Sequence, residues 1–419
     1  MRGWLRRHRR RVLSATAALG IAGVLGTLAV TSTGYRTHNT ELDDAGVWVV
    51  NDRDGAVGRA NLAVLELNSA FPAESNDLDV LQREDTVVVV DRARSSVARV
   101  DVATATRDEE VPLPAGTETV GLAGDRLVVV ADGDVWFAPL DGLQDFDAST
   151  EPVLTLGTGS VSAISPAGLL VVYSPSLGEL SSLDAATEDE VSRTVAVEPF
   201  DGDDVSITTV GGSAVLLDER NGVLDVEGER RALDGANGAV LQEPSDTGAT
   251  VAVATTTGLL EVPLDGGEPR AVAEAAGEPT RPAVVGDCLY GAWNDGTVVE
   301  RCASDDVRTA TLEGLGDGAA LRFRENRGRA LLNDARTGRS WAVQDGDVLI
   351  DNWQDLLDDE DDRQDVEQND EDAPPEYDIQ PTPPVAVCAC ARSSDVAAPT
   401  SVSPARSSWS TARRSRRTT

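Results

Sequence analysis

The sequence predicts an all-β fold, a β-propeller with seven or eight blades. Between about Val47 and Trp353, short β-branched apolar runs alternate with turns rich in Gly, Asp and Asn. These units start at intervals of roughly 36 to 45 residues, the spacing at which four-stranded sheets repeat around a propeller axis. One such unit cannot bury its apolar face by itself, so the units are expected to stack on their neighbours around a shared core.

The N-terminal region predicts a membrane anchor and a stalk. Residues 1–11 are rich in arginine, and residues 12–30 contain no charged side chain. About 20 apolar residues in a helix span the hydrocarbon core of a bilayer. We therefore expect a basic cytoplasmic head over 1–11, a transmembrane helix over 12–32 and a polar stalk over 33–46, with the rest of the chain outside the cell. A cleaved signal peptide is the alternative.

Residues 47–354 form the predicted propeller. From about Asn76 the chain divides into seven units of four strands, and the later units begin near residues 119, 160, 205, 239, 282 and 319. Residues 47–67 add a further unit of three strands. Ring closure usually combines strands from both chain ends in one blade, and here the N-terminal unit would pack beside the last one. A row of β-sandwiches or a β-solenoid is the alternative, but sandwich domains of about 100 residues would break the period.

The C-terminal region predicts two disordered segments. Residues 355–387 combine dense acidic charge with proline, which predicts an extended linker because such a segment cannot offset its ordering entropy. Residues 388–419 are rich in Arg and Ser and predict a disordered tail. The abrupt change of composition at Cys388 indicates an altered reading frame in GC-rich DNA, with a functional basic tail as the alternative.

The pair Cys288 and Cys302 predicts a disulfide bond. A three-residue loop over 294–296 places Trp293 opposite Thr297, and counting back along both strands places the two cysteines opposite one another. Directly opposed strand residues lie close enough for a disulfide, which persists in an exported protein. A pair of buried thiols is the alternative. Cys388 and Cys390 are too closely spaced for a Cys-x-x-Cys motif.

Composition excludes several classes of function. The chain has a formal net charge of −36, which disfavours a nucleic-acid partner. Its two histidines, His8 and His38, lie outside the predicted propeller, and it contains no lysine. The ring therefore lacks Ser-His-Asp and Cys-His catalysis, histidine metal sites, Schiff-base lysines and a P-loop lysine. We expect no catalytic residue, no metal and no cofactor.

Carboxylate pairs leave one enzymatic alternative, an extracellular glycoside hydrolase that uses two acidic side chains. The candidate acids lie in loops and are Asp201, Asp203, Asp204, Asp305 and Asp306. With 72 acidic residues in the chain, neighbouring carboxylates are also expected by chance.

Tryptophans on the repeating strands have two interpretations. Trp48, Trp136, Trp293 and Trp341 are favoured as core residues, and a sugar-stacking platform is the alternative.

Residues 46–61, Gly-Val-Trp-Val-Val-Asn-Asp-Arg-Asp-Gly-Ala-Val-Gly-Arg-Ala-Asn, follow a basic head and one apolar span. This arrangement resembles the start of large actinobacterial surface proteins with a membrane anchor, a β-propeller-like region and tandem Ig-like or fibronectin type III domains. The hairpin from Cys288 to Cys302 and the segment Pro383-Pro-Val-Ala-Val are also similar to theirs. The resemblance covers roughly residues 1–387 and departs at Cys388, where the Ig-like repeats would begin, so the chain looks like a truncated or frame-shifted member of this family.

The resemblance implies adhesion, cell-wall contact or extracellular scaffolding, and it supplies no catalytic residue. We therefore expect a single-pass membrane protein that displays an extracellular propeller and binds a protein, a glycan or a cell-wall polymer. The alternatives are the glycoside hydrolase and a structural spacer. A quinoprotein dehydrogenase rests on fold analogy, and fold does not settle function.

Overall fold

A computed structural model describes residues 46–357, apart from 148, 188, 201–203, 237 and 304–305. In these residues 32 β-strands form eight antiparallel sheets, which confirms the all-β prediction and an eight-bladed propeller. The predicted head, transmembrane helix and stalk up to residue 45, the linker from 358 onward and the tail lie outside the described residues. Within the described part of the chain, no helix is both long and apolar enough to cross a bilayer.

Blades 1 to 4 contain the first 16 strands of the described residues. Blade 1 has β1 (Gly46–Asn51), β2 (Ala56–Asn61) and β3 (Glu66–Pro72). Blade 2 has β4 (Leu78–Arg83), β5 (Thr86–Asp91), β6 (Ser96–Asp101), β7 (Thr106–Arg107) and β8 (Val111–Pro112). Blade 3 has β9 (Thr117–Ala123), β10 (Arg126–Ala131), β11 (Asp134–Pro139) and β12 (Leu154–Thr155). Blade 4 has β13 (Val161–Ile164), β14 (Leu169–Ser174), β15 (Glu179–Asp184) and β16 (Arg193–Ala196).

Blades 5 to 8 each have four strands. Blade 5 has β17 (Val205–Val210), β18 (Ser213–Asp218), β19 (Val223–Val226) and β20 (Glu229–Ala232). Blade 6 has β21 (Val240–Leu241), β22 (Thr250–Thr255), β23 (Gly258–Pro263) and β24 (Arg270–Glu274). Blade 7 has β25 (Ala283–Val285), β26 (Cys288–Ala292), β27 (Thr297–Arg301) and β28 (Val307–Thr311). Blade 8 has β29 (Leu321–Asn326), β30 (Arg329–Asp334), β31 (Ser340–Ala342) and β32 (Val348–Ile350). The described part of the chain also has two 3₁₀ turns, Leu140–Asp145 and Val343–Asp345, and residues 353–357 are helical.

The core is divided among the eight junctions between blades. Each of eight apolar clusters of described residues contains side chains from two adjacent blades, and the last joins blade 8 to blade 1. Short β-branched and leucine-rich strands suit this arrangement because both faces of every blade are covered. The ring is therefore closed by apolar packing.

Among the described residues, blade 1 has three strands and no inner strand. Its first hairpin turn, Asn51 to Gly55, has the same form as the turns Asp91 to Ser95 and Asp218 to Gly222, which follow the second strands of blades 2 and 5. Strand β1 thus corresponds to a second strand, and every one of its residues is buried. The inner strands β4 and β29 of the two flanking blades contact each other directly across the gap.

Amide side chains form hydrogen bonds with the backbone of β1 at this gap. Gln82 accepts the N–H of Trp48 at 2.9 Å and donates to the carbonyl of Gly46 at 3.1 Å. Asn333 accepts the N–H of Val50 and donates to the carbonyl of Val50, both at 3.2 Å. An unpaired strand edge is a site of aggregation, and these amides supply the bonds of the missing strand.

The seam between the chain ends is closed by side chains. The expected packing of the first unit beside the last is confirmed, but β32 pairs with β31 and joins no strand of blade 1. Among the described residues, no blade combines strands from both chain ends. Asn352 instead bonds the backbone N–H and carbonyl of Leu67, at 2.8 and 3.0 Å, and the buried Trp353 packs against blade 1.

Candidate functional site

The inner strands surround a central cavity of about 820 Å³. Its wall is formed by β4, β9, β13 and β29, together with residues 240, 243, 244 and 279–281. Trp48 of blade 1 also reaches it, because the missing inner strand leaves β1 behind the wall. A concave space of this size is the usual place for a small ligand or for part of a larger one.

The charge of this wall differs from that of the chain. Six arginines and five acidic residues line the cavity. The whole chain contains 36 basic and 72 acidic residues. Arginine is therefore enriched at the cavity relative to the rest of the molecule.

Three of these arginines converge on Asp79, and we call this group the arginine cluster. Arg92 and Arg322 donate to Oδ2 of Asp79 at 2.7 and 2.6 Å, and Arg324 donates to Oδ1 at 2.7 Å. Asp79 is only 5 % exposed. Burial opposes its ionisation, but Arg324, Arg322 and Arg92 outweigh burial and hold the pKa of Asp79 well below its usual range.

Strand geometry places the arginine cluster in the gap of blade 1. Arg322 and Arg324 are two positions apart on β29, so both side chains lie on the same face of the strand. Asp79 is the second residue of β4, on the other side of the gap. The ion pairs therefore connect blade 8 to blade 2 where an inner strand of blade 1 would otherwise separate them.

The cluster offers more hydrogen-bond donors than it has acceptors. Nε and Nη2 of Arg324 are buried and have no hydrogen-bond partner among the described residues. Arg92 and Arg322 are 37 % and 43 % exposed and each donates one bond to Asp79. Buried polar groups are normally satisfied, and here two nitrogens of one arginine, Arg324, are not.

Two other acids at the cavity rim have perturbed ionisation. The surrounding protein partly desolvates Glu118 and Glu325 and raises the pKa of each above its ordinary value. Nearby negative charge adds to the effect, from Asp132 for Glu118 and from Asp246 for Glu325.

The acids that the sequence proposed for glycoside hydrolysis lie elsewhere. Asp204 is exposed and forms a surface ion pair with Arg220 at 2.6 Å, and Asp306 is exposed. Neither lines the cavity. Asp201, Asp203 and Asp305 lie outside the described residues.

The predicted disulfide between Cys288 and Cys302 is confirmed. Trp293 and Thr297 close the three-residue loop, since the N–H of Trp293 donates to the carbonyl of Thr297 at 3.0 Å. The next paired residues are Ala292 and Val298, and the register continues to the two cysteines. Glu300 lies close to both sulfurs, but the sulfurs are bonded to each other, so this group offers no thiolate ligands.

The four tryptophans named from the sequence are buried in the core, as the favoured interpretation predicts. The indole N–H groups of Trp136, Trp293 and Trp341 donate to the carbonyls of Thr150, Thr255 and Glu313. Nε1 of Trp48, at the cavity, is buried without a partner among the described residues.

Sequence reasoning missed the arginine cluster. The sequence signal for it is the segment Arg322-Phe-Arg324, in which arginine occupies alternate positions of a predicted strand although acidic residues outnumber basic ones in the chain. A charged residue at alternate positions of a buried strand indicates a buried polar contact, but the partner Asp79 is 243 residues away from Arg322. Only the ring brings them together.

Comparison with known proteins supports the fold and nothing finer. No protein-family model and no curated protein sequence matches the chain. The structure is similar to the computationally designed Ika8 protein, with a TM-score of 0.50 and 15 % identity over 69 % of this chain and 91 % of that one.

Two further solved structures are similar to this chain at lower TM-scores. BamB from Moraxella catarrhalis has a TM-score of 0.46 and 17 % identity, over 70 % of this chain and 92 % of its own. The dihydro-heme d1 dehydrogenase NirN has a TM-score of 0.47 and 14 % identity, over 69 % of this chain and 70 % of its own. Structural similarity at this level identifies only the fold, and one fold can carry many functions.

Proposed function

We propose that this protein is a non-catalytic binding module that holds part of its ligand in the central cavity. The observation that carries the proposal is the cavity itself, which is large, reached by polar side chains and enriched in arginine. Its most buried carboxylate, Asp79, is held by three arginines and is therefore unavailable as a base or nucleophile. Such a site recognises a ligand by charge and hydrogen bonds.

The proposal includes the location expected from the sequence. We place the ring outside the cell, attached to the membrane by residues 12–32, with a protein, glycan or cell-wall polymer as ligand. The disulfide between Cys288 and Cys302 supports an oxidising compartment, because such bonds are rare in the cytosol. The resemblance to actinobacterial surface proteins supports an adhesion or scaffolding role.

A binding screen tests the proposal. Full-length protein in detergent is tested against glycans, cell-wall fragments and surface proteins, with Thr119→Trp on β9 to fill the cavity. Thr119 lines the cavity and accepts a hydrogen bond from Ser162 at 2.9 Å. We expect Thr119→Trp to bind the ligand at least tenfold more weakly than the wild type does.

The matched control is Thr194→Trp, because Thr194 is an exposed residue of the outer strand β16. Its affinity should equal that of the wild type. Unchanged binding by Thr119→Trp, or no ligand that shifts the melting temperature, would refute the proposal and favour a structural spacer.

One observation favours the second candidate, a glycoside hydrolase. A general acid needs a raised pKa, and Glu118 and Glu325 at the cavity rim have one. Hydrolysis of an oligosaccharide by the wild type, abolished in Glu118→Gln or Glu325→Gln, would establish this alternative in place of the binding module.

A further inference from the structure

The arginine cluster has the chemistry of a site for an oxyanion. Arginine presents planar, permanently charged donors that match phosphate and carboxylate oxygens. Three guanidinium groups converge where the protein supplies one carboxylate, Asp79. A structural ion pair would need one arginine, and the additional two leave positive charge facing the cavity.

Neighbouring acids reduce this charge without occupying the cluster. Asp52 lies near Arg322, but its carboxylate accepts the N–H of Leu78 at 2.8 Å. Asp77 acts electrostatically on Asp52 and is itself exposed. Neither residue lines the cavity, whereas Arg92, Arg322 and Arg324 do.

Unused donors in the cluster differ in their exposure. Arg324 is 11 % exposed, and its Nε and Nη2 atoms are buried without a hydrogen-bond partner among the described residues. Arg92 and Arg322 are more open, and their remaining nitrogens have no hydrogen-bond partner among the described residues. A ligand anion that enters the cavity would therefore meet the more exposed Arg92 and Arg322 first, with the more buried Arg324 adding positive charge.

We propose that the arginine cluster binds a phosphate group of the ligand, at the gap left by the missing inner strand of blade 1. This inference rests on the proposed binding function and names the chemistry of that same cavity. A phosphate monoester carries close to two negative charges near neutral pH and three acceptor oxygens, which suits a surplus of two arginines better than a carboxylate does. Phosphate can come from a small monoester or from a phosphodiester polymer. A diester has one negative charge and two non-bridging oxygens, but both sources present anionic phosphoryl oxygens to the guanidinium groups.

Titration at constant ionic strength tests the proposal. Full-length protein is titrated calorimetrically with inorganic phosphate, glycerol 3-phosphate and glycerophosphoglycerol, which represent the free ion, a monoester and a diester. We expect saturable binding of at least one of them and a loss of at least tenfold in affinity in Arg322→Gln. Tighter binding of glycerol 3-phosphate would indicate a small monoester, and tighter binding of glycerophosphoglycerol a polymer.

The matched control is Arg193→Gln. Arg193 is an exposed arginine of β16 that pairs with Glu227 and does not line the cavity. Its affinity for phosphate should equal that of the wild type. Equal binding by Arg322→Gln, or no saturable binding of any of the three probes, overturns the proposal.

A second variant separates a ligand site from a structural contact. Asp79→Asn removes the internal carboxylate, so phosphate should bind this variant at least tenfold more tightly and raise its melting temperature more than that of the wild type. A structural contact alone would give equal shifts in both proteins, which contradicts the proposal. If Asp79→Asn does not fold, the comparison of Arg322→Gln with Arg193→Gln decides.

The two proposals fail in different ways. Binding of a neutral glycan that Thr119→Trp abolishes, without binding of any phosphate probe, would refute the phosphate site and keep the binding module. Absence of every ligand in both experiments would refute both.

Discussion

At the scale of single residues, Asp79 shows how a buried charge is made tolerable. A carboxylate removed from water is costly unless it is paired and hydrogen-bonded. Asp79 receives bonds from Arg92, Arg322 and Arg324, which come from two different blades. One side chain therefore holds together strands that are far apart in the sequence.

Asp79 should make stability depend on pH in the acid range. Its pKa in the folded state is lowered below the ordinary value near 3.9, so its contribution is fully present above about pH 4 and is lost as the pH falls toward the lowered pKa. We expect Asp79→Asn to cost about 3 kcal/mol of unfolding free energy at pH 7, because three guanidinium groups lose their partner. Urea unfolding between pH 3 and 8 should show this difference shrinking below about pH 4.

A surface carboxylate provides the comparison for Asp79. Asp204→Asn breaks an exposed ion pair with Arg220 and should change the unfolding free energy by less than about 1 kcal/mol. A difference between wild type and Asp79→Asn that stays constant down to pH 3 would contradict the assignment.

At the scale of elements, five blades contain the same type of hairpin turn. A buried Asn, Asp or Ser ends a strand, and the residue four positions later has a positive φ, between 52° and 77°. The pairs are Asn51 and Gly55, Asp91 and Ser95, Ser174 and Gly178, Asp218 and Gly222, and Asp334 and Gly338. The side chain commonly accepts the backbone N–H three residues on, as Asp218 does from Asn221 at 2.9 Å. This bond fixes the turn.

Ser95 is the exception among these turns, because its φ of 52° is strained for a residue with a Cβ atom. We expect Ser95→Gly to raise the unfolding free energy by about 0.5–1 kcal/mol, since relief of strain exceeds the added entropy of the unfolded chain. Thermal unfolding measures this gain. Gly222→Ser, the reverse change at an equivalent turn, should destabilise, and a loss of stability in Ser95→Gly would show that its backbone is not strained.

The elements were largely predictable because their signals are local. Alternating apolar runs and Gly-containing turns located the blades, and the inner strands of blades 3 to 8 begin within two residues of the predicted starts. The Cys288–Cys302 pairing followed from the length of one loop. The arginine cluster and the contact of Trp353 with blade 1 were not predictable from the sequence. Their residues come from opposite ends of the chain, and the alternation of apolar residues does not indicate which blades are neighbours.

At the scale of the whole molecule, blades 8 and 1 meet at a seam where the described residues form no shared sheet. Trp353 lies against Gly58, where an added Cβ would come within 2.7 Å of the indole. Its Nε1 donates to the carbonyl of Gly338 at 2.9 Å. Removal of the Trp353 side chain should therefore weaken the junction of blades 8 and 1 more than any other junction of the ring.

Trp353→Ala should cost about 3–5 kcal/mol of unfolding free energy, the usual effect of truncating a buried tryptophan. Hydrogen exchange should increase first in β1 to β3, because they are held by the seam and by side-chain amides. Trp353→Phe, which retains most of the apolar contact, should lose less. Uniform exchange across all eight blades in Trp353→Ala would contradict a local seam.

The absent inner strand of blade 1 also has a consequence for stoichiometry. A ring of eight alike sectors would present eight nearly equivalent positions around its axis, and a small ligand could rotate among them. In the described residues blade 1 has three strands, whereas every other blade has four or five, and the gap at blade 1 is where Asp79 lies next to Arg322 and Arg324. The pseudo-symmetry is broken at that point, so one ligand should occupy each ring in a single orientation.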